Sequence, residues 1–164
     1  MALDARPQRA HPTHSMSASI DLAPGTEENG MASMLAELVR QNLAQKPHKV
    51  ADFASLVGAA AIVAEDAAVS LTLRFDHGAL TIHDGIVGMP HVTIRGESES
   101  ILAMSNLPLT RWGAMPLAAL SDSDGWKVLK GLGSQIMKGR LRVYGGLAHM
   151  RFMLRLARVM SVNG

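Results

Sequence analysis

The chain has 164 residues, 48% of them apolar but only 4% aromatic, which is enough for one domain with an aliphatic core. It has no cysteine, which excludes a disulfide framework, a thiolate nucleophile and a Cys-ligated metal, and it suits a reducing cytoplasm. The formal charge of +2 conceals an imbalance: no acidic residue follows Asp124, while eight lysines and arginines do. A concentrated positive segment calls for an anionic partner, whether a membrane, a nucleic acid or the acidic part of the same chain.

Residues 1–30 hold Pro7, Pro12, Pro24, Gly25 and Gly30 among polar residues and show no apolar period. They read as a disordered tail preceding a single domain over residues 31–164. No apolar stretch follows the N-terminal basic residues, so no secretory signal is expected. The longest charge-free apolar run, Phe53 to Ala64, is too short to span a bilayer.

Met34, Leu35, Leu38, Val39 and Leu43 recur at helical spacing until Pro47, and a short helix is expected from Lys49 to Leu56. Ala59 to Ala64 fits a strand or a helix, and the strands that follow favour a strand. Val69 to Phe75 alternates strictly, with Val69, Leu71, Leu73 and Phe75 on one face. Asp76-His77-Gly78 is a hairpin connection, and Ala79 to His83 returns with Leu80 and Ile82 inward. After Asp84-Gly85, the strand His91 to Arg95 completes an expected antiparallel meander. Glu97 to Ser105 reads as a helix with Ser98 as its cap, followed by a loop to Ser123. A helix from Gly125 to Met137, a strand from Arg140 to Tyr144 and a last helix from Leu147 to Met160 complete the chain.

Three segments, taken together, resemble the sterol carrier protein type 2 lipid-binding domain. They are LTLRFDHGALTIHDG (71–85), PHVTIRGESESILAM (90–104) and KGRLRVYGGLAHMRFMLRL (138–156), in the family's order. The likeness covers roughly residues 50–160. It implies an α+β fold: a five-stranded, largely antiparallel sheet with helices on one face, enclosing an apolar tunnel for fatty acids, acyl-CoAs, sterols or similar molecules. The family has no catalytic residues to carry over, so neither an enzymatic activity nor a cofactor is expected. Two departures are visible: a long 107–124 loop and an unusually basic last helix.

The last helix is apolar around most of its circumference, which requires burial or an apolar neighbour. A well-buried core helix and a helix closing a ligand tunnel both satisfy this, and the resemblance favours the tunnel. The expected pocket residues are Leu73, Ile82, Ile94, Leu129, Leu132, Ile136, Met150, Met153 and Leu154. The eleven methionines fit an adaptable apolar wall as well as ordinary gap-filling.

His77, His83 and His91 lie close in sequence beside Asp76 and Asp84, but their strand positions do not converge as a metal site requires. Lys130-Gly-Leu-Gly-Ser134 lacks the complete phosphate-loop motif and follows a helical pattern rather than a strand. Arg151, Arg155 and Arg158 fall on one side of the last helix, either as a solvated, internally paired face or as an anionic-membrane docking face. No aromatic platform accompanies them, so nucleic acid is not expected. The expected function is therefore non-catalytic binding or transfer of a lipid by a cytoplasmic protein, peripheral to the membrane when docked. The alternative is a scaffold that presents a quinone-like or polyketide-like intermediate to an enzyme.

Overall fold

A computed structural model describes residues 18–105 and 141–162. The elements are β1 (Ser19–Leu22), α1 (Gly30–Gln45), α2 (His48–Ala54), β2 (Val57–Ala64), β3 (Val69–Asp76), β4 (Ala79–Asp84), β5 (Val92–Gly96), α3 (Ser98–Ser105), β6 (Leu141–Tyr144) and α4 (Met150–Met160). The expected loop to Ser123 and the helix from Gly125 to Met137 lie outside the described residues.

The six strands form one mixed sheet in the order β1-β4-β3-β2-β5-β6. The α+β class is as expected, with one strand more than expected. That strand, β1, falls within the segment read as a disordered tail. Ile20 and Leu22 are too few to give a legible period, yet both pack on the core and lie beside Leu80 and Ile82 of β4 in parallel register. Arg40 of α1 reaches back to hydrogen-bond the Ile20 carbonyl at 2.8 Å.

The meander holds for β3 and β4 but not for β5. Asp76 and Ala79 close a two-residue hairpin whose central residues, His77 and Gly78, both have positive φ, as a type I′ turn requires. The chain then crosses the sheet and inserts β5 beside β2, parallel, with Ala60 opposite Val92 and Ile62 opposite Ile94. Residues 85–91 form this crossing strap on the sheet face away from the helices. Thr72 fixes it: its hydroxyl donates to the Gly85 carbonyl at 2.8 Å and accepts from the Val87 N–H at 2.9 Å. His91 N–H then joins the Ala59 carbonyl at 2.8 Å. Alternation identifies which face a residue occupies, not which strand lies next to it.

The opposite face carries the core. Leu71, Leu73, Phe75, Leu80, Ile82, Val92 and Ile94 point towards Leu35 and Val39 of α1, Phe53 of α2, Ile101 of α3, and Leu156 and Val159 of α4. Asn29 caps α1, accepting from the N–H groups of Met31 and Ala32. At α3 the cap is not Ser98 but Asp66 on the β2–β3 turn, whose carboxylate accepts from both the Ser98 N–H and its hydroxyl at 2.8 Å. These bonds hold the Asp66 carboxyl below its usual range.

Candidate functional site

Between α1, α3, α4 and the centre of the sheet lies an apolar cleft. Its floor is Ala60, Ile62, Leu73 and Ile94, on the helix side of three adjacent strands. Ala60 matters by being small: a larger residue on the middle strand would fill the space. Leu35 and Leu38 of α1 form one wall, Ile101, Leu102 and Met104 of α3 a second, and Met153, Leu156, Ala157 and Met160 of α4 a third. The cleft volume is only about 50 Å³, although about 610 Å³ is unoccupied when the space out to its open mouth is included. Pockets for drug-sized molecules span roughly 300–1,000 Å³, so a long chain enters only if the wall yields. Met104, Met153 and Met160 are the side chains suited to that, being unbranched and readily repacked.

Among the described residues, Ser105 is the one polar residue in this lining. Its hydroxyl donates into its own helix, to the Leu102 carbonyl, at 2.6 Å, and its carbonyl accepts from the Val162 N–H at 2.6 Å. The described wall therefore offers a ligand contact surface with its polar atoms already engaged. Among the described residues, no three His, Cys, Asp or Glu side chains converge as a metal site would require.

Of the residues expected to line a pocket, Leu73, Ile94 and Met153 stand in the cleft wall. Ile82 is fully buried in the core on β4, beside β1 and outside the cleft lining. Leu154 is half-buried outside the lining, and Met150 is 50% exposed at the start of α4. Leu129, Leu132 and Ile136 lie outside the described residues. The sequence reading missed the α1 and α3 walls, although the helical stripe of Leu35, Leu38 and Val39 was the signal that α1 turns an apolar face to the sheet.

The C-terminal end of α4 is knitted to the rest of the molecule. Asn42 of α1 donates to the carbonyls of Val159 and Met160 at 2.9 and 3.1 Å. Lys49, only 1% exposed, donates to the Ser161 carbonyl, and Lys46 to that of Val162. Burial, with Lys46 nearby, lowers the Lys49 pKa to about 8. Arg158 pairs with Asp52 of α2 at 2.8 Å, and Arg155 donates to the Ser55 carbonyl at 3.2 Å. Of the two alternatives for the three arginines, internal pairing holds for Arg158, which binds Asp52 of α2, while Arg155 is half-buried and Arg151 is exposed.

No family model matches the chain, and no curated protein is similar to it. Solved structures are. One, described as "UbiJ-SCP2 Ubiquinone synthesis protein", superposes with a TM-score of 0.53 at 14% identity, covering 81% of this chain and 94% of that one. The chain has the sterol carrier protein fold. Two further structures match more loosely. They are sterol carrier protein 2 (TM-score 0.43, 13% identity, 77% of this chain and 91% of that one) and a conserved protein from Thermus thermophilus (TM-score 0.38, 15% identity, 80% and 91%). Among the described residues, no helix is long and apolar enough to cross a membrane.

Proposed function

We propose that this protein binds a lipid or similar hydrophobic molecule in the cleft between α1, α3, α4 and the sheet, and carries it without altering it. The observation behind this is a cleft walled by Leu, Ile, Ala and Met, whose single serine already donates into its own helix. Such a wall favours apolar chains by area alone and selects them by length and shape. The sterol carrier fold agrees with this reading. In it, Leu73, Ile94 and Met153 contact the ligand. The cysteine-free composition suits a cytoplasmic carrier.

Titration with a fluorescent fatty acid tests the proposal. Saturable binding by the wild-type protein, abolished in Ala157→Phe with the fold intact by circular dichroism, supports it. Equal binding by both proteins argues against the cleft as the site.

A second reading is an accessory protein that presents a quinone-like or polyketide-like intermediate to an enzyme. Its support is the structural neighbour described as a ubiquinone synthesis protein. Reproducible capture of one enzyme, with no lipid exchange between vesicles, favours this reading over free transfer.

A further inference from the structure

We propose that one end of the molecule, formed by the strap and the start of α4, is a tip that inserts into the surface of an anionic lipid bilayer. Met89 is 92% exposed and Leu147 is 87% exposed, and Met150 and Tyr144 beside them are about half-exposed, at 50% and 53%. Soluble domains leave single apolar residues in water routinely, but a contiguous exposed apolar patch marks an interaction surface.

The strap and the start of α4 are linked through His91. Val57, Val87, Met89 and His91 surround one cavity on the outer face of the sheet. The His91 ring stands edge-on to the His149 ring, with centroids 4.8 Å apart, and His149 lies between Leu147 and Met150. Gly145, at φ 75°, presses against the His91 carbonyl so closely that a Cβ there would sit 2.2 Å from the oxygen. The strap and the β6–α4 turn are therefore in direct contact.

Its charge has one dominant sign. Arg151 is exposed directly after Met150, Arg74 is exposed on the cavity wall, and Arg155 is half-exposed one helical turn on. Of the described carboxylates nearby, Asp52 pairs with Arg158, and the exposed Asp76 shares the cavity wall with Arg74, leaving the cations in excess. Unbranched thioethers, a tyrosine at the border and long cationic side chains that can reach back to headgroups are the chemistry of a bilayer interface. The proposal builds on the lipid-carrier reading, since a carrier must meet a membrane to load, but its test is separate.

The full chain is sedimented with phosphatidylcholine vesicles containing or lacking phosphatidylglycerol. The expected result is binding to the anionic vesicles, reduced at least tenfold in Met89→Asp/Leu147→Asp and about fivefold in Arg151→Gln, but unchanged in Met34→Asp, an exposed methionine on α1. The double variant should still bind the fluorescent fatty acid, so that failure of the tip and failure of the cleft are distinguishable. Equal sedimentation of wild type and the double variant overturns the proposal. So does a wild-type dimer that the double variant dissolves, since the patch would then cover a second copy.

Discussion

The two ends of α4 are built on different physics. Its C-terminal end is held by Asn42, Lys46, Lys49 and the Asp52–Arg158 pair, and Val159 and Ser161 there are fully buried. At its N-terminal end His149 makes no side-chain cap, and Leu147 and Met150 face solvent. The N-terminal end is held by ring packing instead, His149 against His91 and Phe152 against Phe75 and His91. Because α4 supplies a whole wall of the cleft, what holds each of its ends sets the shape of the cleft.

Substitutions at the clamped end should cost the most. Asn42→Ala removes two hydrogen bonds and strands two carbonyls, for an expected loss of about 2–4 kcal/mol in denaturant unfolding. Asp52→Ala should cost about 1–2 kcal/mol, because Arg158 loses the partner for a charge that is three-quarters shielded from water. A loss much smaller than these would mean that the clamp does not hold.

Lys49 gives the clamp a pH signature. Its pKa in the fold is about 8 against an ordinary 10.5, so between these values the unfolded chain binds more protons and stability should rise with pH. Lys49→Met should flatten that rise without altering the profile below pH 8. At the N-terminal end, Leu147→Ala should change stability by less than about 0.5 kcal/mol, measured in the same way. A large loss there would erase the contrast between the two ends.

Much of this architecture was legible because period-two alternation and turn chemistry are local. Val69 to Asp84 could be read almost residue by residue, hairpin included. What could not be read depended on distant partners. The crossing of β5 to β2 rests on Thr72 holding the strap, and β1 on pairing with β4 across 60 residues of chain. Ile82 was assigned to the pocket because alternation placed it on the correct face, but its strand lies towards the β1 edge of the sheet, away from the cleft. Arg158 reads as a solvent-facing cation until Asp52, on another helix, is brought beside it. Lys49 gave no sign of burial, since its carbonyl partner lies at the far end of the chain.

The central claim is that the cleft holds an apolar molecule. Native mass spectrometry of the purified full chain, before and after organic extraction, tests it most directly. The expected result is an adduct of lipid mass that extraction removes and added fatty acid restores, and that is missing from Ala157→Phe. A chain that carries no adduct and takes up none when lipid is supplied would contradict it.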